Sequence, residues 1–274
     1  MTQPQLSFYP LGEDAVAFST TRHGGYSTGT YSEFNITHYC GDNDDAVHRN
    51  RMALCRLLDI GNERLILPRQ NHGTKILRID SAFLTMPKEE KEEALEGVDG
   101  LVTNVPDVCI GVSTADCIPV LLYDSKTGTV AAVHAGWRGT VGRIVEKAVA
   151  TMVQDFDSRS GDMVAQIGPG IGLDSFEVGD EVYEAFAKEG FPMDIISKKY
   201  PALQPSPMAQ KWHIDLPQCN RLQLISCGIP EQGISLSPVC TYRQSETYFS
   251  ARRLGIQSGR IFTGIMLKGT GRKE

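Results

Sequence analysis

The chain has 274 residues, of which 41% are hydrophobic, enough to build a sizeable core. Its 27 basic and 33 acidic residues give a formal net charge of -6, and the basic residues are scattered, so we do not expect nucleic acid as a partner. No apolar run approaches membrane-spanning length, and the start "MTQPQLSFYPLGED" lacks signal-peptide features, so we expect a cytoplasmic protein without a membrane partner.

The first part of the chain alternates β-type runs with one amphipathic helix. Residues 15–22 predict a strand that leads into the glycine-rich loop "HGGYSTGT". Residues 42–60 place acidic side chains before regularly spaced apolar ones, which predicts a helix with a favourable first turn. The β-type runs 64–67 and 74–79 flank "PRQNHG", so His72 is expected on a turn between strands. Residues 85–97 are charged and predict an exposed helix or loop.

The middle of the chain predicts a central sheet followed by a helix. Four short apolar or β-branched runs are separated by turn residues: "GLVTN", "VCIGVST", "IPVLLYD" and "TVAAVHA". Residues 140–156 then carry apolar side chains at helical spacing, and Thr140 is placed to cap that helix. The pattern is therefore strand, tight turn, helix.

The last part of the chain repeats this alternation. "MVAQIGPGIG" predicts a strand and a glycine turn, and residues 179–190 predict a helix. The segment from Phe191 to Lys211 contains four prolines and predicts a surface excursion. Residues 215–229 predict a capped helix with Pro217 near its start. Alternating strands and helices indicate an α/β chain, and we expect residues 1–274 to form a single domain.

Three side chains at strand ends or turns have the chemistry of a metal site. Catalytic zinc commonly takes three protein ligands from His, Cys and carboxylate, and His72, Cys117 and His134 would supply such a set. The separations of 45 and 17 residues are not a recognised metal motif, and on these residues alone a turn histidine and a core cysteine are the more common interpretations. The seven cysteines contain no CxxC pair and do not indicate a disulfide framework.

The stretch "HAGWRGT" has features of an anion site. Its glycines permit a tight turn into the following helix, whose free backbone N–H groups attract anions. Arg138 would add a positive charge there. The alternative is a surface arginine paired with a carboxylate.

Many ordered blocks from about Ser19 to Arg253 resemble one family, the laccase-domain or polyphenol oxidase family. The blocks are "STTRHGGYSTGTYSEFN", "CGDNDDAVHRNR", "QNHGTKI", "GVDGLVTN", "STADCIPVLLYD", "AAVHAGWRGT", "IGPGIG", "FEVGDEV", "IDLPQCNRLQL", "CTY" and "YFSARR". Members of this family are described as purine nucleoside phosphorylases with adenosine deaminase activity. The chain departs from the family at Asp174 and Ser175, where a pair of cysteines often stands.

The resemblance implies a zinc ion bound by His72, Cys117 and His134. It also implies an α/β fold in which helices cover paired mixed sheets, similar to a group of cysteine hydrolases. The laccase label conflicts with the residues, because four coppers need many imidazoles, commonly as HxH pairs, and the chain has six histidines and no such pair. Copper in the His-Cys-His set is an alternative that we disfavour.

Our hypothesis is a zinc-dependent enzyme that cleaves purine nucleosides with phosphate and deaminates adenosine. Asp116, next to Cys117, and Glu177, in a family block, are the candidate carboxylates for proton transfer. Arg138 is the main candidate for phosphate binding, and Arg22 is the second. The alternatives are a metal-free hydrolase or deamidase with a Cys117 nucleophile and a His134 base, and a binding module that uses zinc only structurally.

Overall fold

Three β-sheets and the helices packed on them form the part of the chain that this computed structural model describes, residues 3–203 and 210–269. The strands are β1 (Leu6–Tyr9), β2 (Ala15–Thr20), β3 (Leu65–Ile66), β4 (Lys75–Arg78), β5 (Val98–Thr103), β6 (Cys109–Thr114), β7 (Ile118–Asp124), β8 (Thr129–Ala135), β9 (Met163–Ile167), β10 (Glu177–Val178), β11 (Ser197–Pro201), β12 (Gln210–Ile214), β13 (Ile234–Leu236) and β14 (Ile261–Leu267). The helices are α1 (Asp44–Leu58), α2 (Ser81–Thr85), α3 (Lys88–Leu95), α4 (Trp137–Val141), α5 (Ile144–Phe156), α6 (Asp180–Lys188), α7 (Met193–Ile196), α8 (Leu216–Ser226) and α9 (Ala251–Leu254).

Two larger sheets pack face to face around a shared core. One has the strand order β1-β2-β14-β6-β3, and the other β13-β9-β7-β8-β5-β4. Both are mixed, because most neighbours are antiparallel while β3 and β6, β4 and β5, and β9 and β13 run parallel. Ile110, Val112 and Ile265 of the first sheet meet Leu101 and Leu121 of the second in one buried cluster.

Helices cover the outer faces of both sheets. Leu54 and Leu58 of α1 pack in a cluster on the outer side of the five-stranded sheet. Helices α5 and α8 pack on the six-stranded sheet, where Val120 and Leu122 point toward them while Leu121 points into the core between the sheets. The predicted α/β layering, with helices covering paired mixed sheets, is confirmed. The predicted similarity to cysteine hydrolases stays a prediction.

Local capping chemistry explains the helices that the sequence predicts well. The Asn43 side chain accepts a hydrogen bond from Ala46 N at 3.0 Å at the start of α1, whose first turn carries two aspartates. Asp215 similarly caps α8 through Gln218 N at 2.9 Å. The acidic, lysine-containing stretch near residue 90 forms the exposed helix α3, as expected.

The single central sheet predicted from four consecutive runs is wrong. Strands β5, β7 and β8 lie in the six-stranded sheet, but β6 lies in the five-stranded sheet, between β14 and β3. The chain therefore crosses between the sheets in the three residues from Ala115 to Cys117, where Asp116 has a φ of 88°. Sheet membership depends on pairing with the distant strand β14, which a local pattern does not encode.

The predicted helix over 140–156 is interrupted. A short helix, α4, begins at Trp137 and ends at Val141, and α5 begins at Ile144 after Arg143, whose φ is 61°. Thr140 is therefore not a helix cap. Its hydroxyl lies inside α4 and accepts a hydrogen bond from Asn220 Nδ2 at 3.2 Å, which ties α4 to α8.

The proline-containing segment after Phe191 is more ordered than the predicted surface excursion. It includes α7 and β11, and β11 joins a small antiparallel sheet with the order β10-β12-β11. Two of its four prolines lie within residues 204–209, outside the described residues.

None of the helices that the structure describes can cross a membrane. Within residues 3–203 and 210–269, every helix is too short or too polar to span a bilayer. Cytoplasmic location and the lack of a nucleic-acid partner stay predictions.

Candidate metal centre

His72, Cys117 and His134 come together at one end of the six-stranded sheet. One ligand atom from each lies within 4.8 Å of the others, and the two imidazole rings are 4.9 Å apart between centroids. The strand register explains the meeting, because Ile118 at the start of β7 pairs with Ala135 at the end of β8. Cys117 therefore stands beside the end of β8, and His72 reaches both from the turn before β4.

Glycine at position 136 leaves the space that these side chains occupy. A Cβ atom there would lie 3.1 Å from Cys117 Sγ, 3.1 Å from His72 Cδ2 and 3.7 Å from His134 Cε1. A Cβ at this position would crowd Cys117 and His72 and make ordinary contact with His134. Gly136 also provides the bend from β8 into α4.

Asp99, a residue that the sequence analysis did not single out, contacts two of the three residues. It lies fully buried on β5, and its Oδ1 is 2.7 Å from His134 Nδ1. The same carboxylate accepts hydrogen bonds from the backbone N–H groups of His72 at 3.0 Å and Gly73 at 2.8 Å. An aspartate inside the apolar run "GVDGLV" was the available signal, because a buried carboxylate needs partners.

Charges and hydrogen bonds within the site shift the pKa values of Cys117, His134 and Asp99. Burial raises the pKa of the Cys117 thiol, but the charge and hydrogen bond of His134, with His72, more than offset this, and the net pKa is lowered. Burial lowers the pKa of His134, but Cys117 and Asp99 more than offset this, so it is raised. Burial also raises the pKa of Asp99, and hydrogen bonds from His134 and the backbone overcome it, so Asp99 is ionised.

The donor set fits zinc. Two imidazole nitrogens and one thiolate are ordinary zinc ligands, and three protein ligands leave a fourth position open. His134 is buried and Cys117 half-buried, whereas His72 is exposed, so the site faces solvent on one side.

Asp116 does not join this group, although it precedes Cys117 directly. Its Oδ1 accepts a hydrogen bond from Thr241 Oγ1 and its Oδ2 from Arg252 N, both at 2.7 Å. The two neighbouring side chains thus point to different surroundings, as strand alternation would suggest, even though they lie in a bend. The carboxylate holds the start of α9 in place.

Glu177 also lies outside the His-Cys-His group. Its Oε2 accepts a hydrogen bond from Leu203 N at 2.6 Å, and its backbone carbonyl accepts one from the Arg252 guanidinium at 3.1 Å. Arg252 therefore contacts both predicted carboxylate residues.

A cavity lies beside Asp116. It has a volume of about 390 Å³ and is lined by Asp116, Ile171, Phe176, Ala251, Arg252 and Ile256. Its walls are largely apolar with a few polar groups, which is the usual character of a small-molecule site.

The two arginines predicted to bind phosphate differ in environment. Arg138, two residues after Gly136, is exposed, and its guanidinium lies over the Trp137 ring at 4.2 Å. Arg22 is half-buried, and it donates hydrogen bonds to the carbonyls of Ser32 at 2.8 Å and Ser245 at 2.7 Å. The Arg138 charge is thus the more available of the two.

A family model described as multi-copper polyphenol oxidoreductase laccase matches residues 16–268. The chain belongs to this family. The name implies several coppers, but in residues 3–203 and 210–269 the His72, Cys117 and His134 set is the one group of three or more His, Cys, Asp or Glu side chains close enough to share a metal ion. The metal group expected from the resemblance is therefore assembled, while the identity of the metal is a separate question.

Known relatives carry names from purine nucleoside chemistry. A purine nucleoside phosphorylase from Bacteroides thetaiotaomicron is 47% identical over 250 residues, which cover 91% of this chain and 90% of that protein. Adenosine deaminase RL5, from an unknown prokaryotic organism, is 43% identical over 264 residues, covering 96% of this chain and 98% of that protein. Both relatives are thus named as enzymes of purine nucleosides.

A solved structure shares the whole fold. The crystal structure of YlmD from Geobacillus stearothermophilus superposes with a TM-score of 0.84 at 30% identity, covering 98% of this chain and 99% of that chain. The layered sheets that carry the candidate metal centre are therefore shared with that structure.

Proposed function

We propose that this chain is a zinc-dependent purine nucleoside phosphorylase with adenosine deaminase activity. It would convert adenosine, inosine, guanosine or methylthioadenosine and phosphate to the free base and a ribose 1-phosphate. The observation that carries the proposal is the meeting of His72, Cys117 and His134 in a chain whose relatives bear these two enzyme names. We treat residues 1–274 as one catalytic domain, since the family model matches nearly all of them.

Zinc is the proposed metal because its preferred ligands are the donors present. When bound, the ion would supply Lewis-acid chemistry to a substrate or water beside it. Copper also favours nitrogen and sulfur donors, so elemental analysis of protein prepared without added metal is the test of identity. About one zinc per chain is expected, and a chain that retains zinc after both Cys117→Ala and His134→Ala would contradict the ligand assignment.

We place the nucleoside in the cavity beside Asp116. Its volume of about 390 Å³ is within the ~300 to 1,000 Å³ typical of small-molecule sites, and the Phe176 ring offers a surface on which a purine can stack. In deamination, water adds at C6 and ammonia leaves, so a carboxylate must take and return a proton. Asp116, in the cavity wall, and Glu177, next to Phe176, are the two candidates. Deamination lost from Asp116→Asn or Glu177→Gln, at unchanged zinc content and an unchanged urea unfolding midpoint, identifies the one that acts.

Phosphorolysis requires an anion beside the ribose. Phosphate attacks the anomeric carbon, the glycosidic bond breaks, and the base leaves with a proton. We propose that Arg138 binds this phosphate, because its guanidinium is exposed over the Trp137 ring and the residue follows two positions after Gly136, which borders the candidate metal centre. Arg22, whose Nε and one terminal nitrogen already contact backbone carbonyls, is the second candidate.

Arg138→Leu separates the two activities. A charge-assisted contact to phosphate contributes about 1.5 to 3 kcal/mol, so its loss should raise the phosphate concentration needed for phosphorolysis roughly ten- to a hundredfold. Deamination uses no phosphate and should stay near the wild-type rate. Release of free base and of inosine is measured across a phosphate titration.

Arg49→Leu is the matched control, because Arg49 is also exposed and also lies over an aromatic ring, that of Tyr26 at 3.9 Å. Its phosphate dependence should equal that of the wild type. Equal loss of both activities in Arg138→Leu would show that Arg138 supports the fold or the metal centre. An unchanged phosphate dependence would move the anion site, with Arg22→Leu tested next. A wild-type chain that releases neither product would refute the proposed function.

A second candidate function is a metal-free hydrolase. It is favoured by the lowered pKa of Cys117 beside the raised pKa of His134, the pattern of a thiolate nucleophile next to its base. Alkylation distinguishes the two functions: a zinc-bound thiolate reacts with iodoacetamide only after chelation, whereas a free nucleophile reacts equally with and without a chelator.

A further inference from the structure

Asp99 collects hydrogen bonds from two separate parts of the candidate metal centre. Its Oδ1 lies 2.7 Å from His134 Nδ1 and accepts the His72 backbone N–H at 3.0 Å. Its Oδ2 accepts the backbone N–H groups of Gly73 at 2.8 Å and Asn71 at 3.3 Å. One buried carboxylate therefore contacts the side chain of one ligand and the backbone that carries another.

The backbone contacts explain the unusual conformation of His72. Its φ of 66° lies in the left-handed region, which is unfavourable for a residue with a side chain. Three consecutive N–H groups, from Asn71 to Gly73, point at the Asp99 carboxylate and stabilise this turn. This turn directs the His72 imidazole toward Cys117 and His134.

The side-chain contact determines which nitrogen of His134 faces a metal. The Asp99 carboxylate accepts three backbone N–H hydrogen bonds and so acts as the acceptor at this site, which makes His134 Nδ1 the donor across the 2.7 Å contact. Nε2 is then the nitrogen left to coordinate. Outer contacts of this type commonly orient metal-binding histidines.

We propose that Asp99 is the positioning residue of the metal centre, acting on His72 through the turn and on His134 through Nδ1. The proposal rests on the proposed function only in requiring that the three side chains bind a metal. An asparagine at this position cannot replace the carboxylate, because its amide has one accepting oxygen. Whichever way the amide is turned, its NH2 group faces either the backbone N–H groups or the Nδ1–H of His134.

The test is Asp99→Asn in the full chain, with zinc and cobalt as probes. Zinc affinity is measured by competition with a chromophoric chelator, and the visible absorption of cobalt-loaded protein reports ligand geometry. We expect zinc to bind roughly ten- to a hundredfold more weakly and the cobalt bands to change even at saturation. The control is Asp124→Asn, which removes an equally buried carboxylate at the far end of β7, where Asp124 accepts Lys126 N and Thr127 Oγ1.

A second measurement needs no variant. In zinc-loaded wild-type protein, ring nitrogen NMR should show His134 protonated at Nδ1 and coordinated through Nε2. Coordination through Nδ1 would overturn the proposal, as would wild-type zinc affinity and cobalt bands in Asp99→Asn, or an equal loss in Asp124→Asn.

The outcomes also separate this inference from the proposed function. A wild-type chain that binds zinc but releases neither free base nor inosine refutes the proposed function and leaves the role of Asp99 intact. A wild-type chain that turns over nucleosides, with Asp99→Asn unchanged in zinc affinity and cobalt bands, refutes only the role of Asp99. Failure of the wild type to bind either metal refutes both.

Discussion

Replacing Gly136 with alanine tests the geometry of the metal centre with one methyl group. Gly136 has φ −68° and ψ 170°, an extended conformation that alanine adopts without strain. The added Cβ would lie 3.1 Å from both Cys117 Sγ and His72 Cδ2, closer than the ~3.5 to 4.0 Å of a favourable contact. The effect of the substitution is therefore steric and is directed at the ligands.

The cost should appear mainly in metal affinity. In metal-free protein the exposed His72 side chain can rotate away from the new methyl group, whereas in metal-loaded protein it must stay beside Cys117. Overpacking of this kind costs about 1 to 3 kcal/mol, equivalent to zinc binding that is about five- to 150-fold weaker. The urea midpoint of the metal-free variant should stay close to that of the wild type.

The assay is chelator competition for zinc, with urea unfolding of the metal-free protein as the measure of fold. The control is Gly161→Ala, because a Cβ at Gly161 meets no atom within 4 Å and the residue does not have a positive φ. Zinc affinity in Gly136→Ala equal to that in Gly161→Ala would refute the steric reasoning. Equal loss of affinity and of metal-free stability would show that Gly136 supports the fold instead.

Two further predictions concern stability. Leu121→Ala should lower the free energy of unfolding by about 2 to 5 kcal/mol, because Leu121 is fully buried between the two large sheets, and urea unfolding should show it; a loss under about 1 kcal/mol would contradict that placement. Burial lowers the pKa of His213 below its usual value despite its hydrogen bond to Leu173 O, so below about pH 6.5 the unfolded chain takes up a proton that the native chain does not. Stability should therefore fall from pH 7 to 5 more steeply in the wild type than in His213→Gln, and equal slopes in urea titrations would contradict this.

The sequence by itself determined many of the local elements and the side chains of the candidate metal centre. Helices α1 and α8 begin where Asn43 and Asp215 can cap them, because capping involves residues only a few positions apart. The three ligands were identified through family blocks, and their residue types limited the metals that suit them. Arg138 is predicted from the turn into a helix, with Arg22 as the second candidate. Asp116 is predicted from its place beside Cys117, and Glu177 from a family block. The roles of all four stay predictions.

The tertiary structure decided which sheet each strand joins and which side chains meet, because both depend on residues far apart in the sequence. Strand β6 leaves the neighbouring runs for another sheet because it pairs with β14, about 150 residues later, and the resulting crossover places Cys117 at the corner beside His134. The same crossover places the Asp116 carboxylate where it accepts hydrogen bonds from Thr241 and Arg252. Asp99 acquires its role only when β5 pairs with β8 and brings the carboxylate to His134. A local sequence pattern reflects only the period of one helix or strand. The role of a buried carboxylate depends instead on the hydrogen-bond donors that folding brings to it.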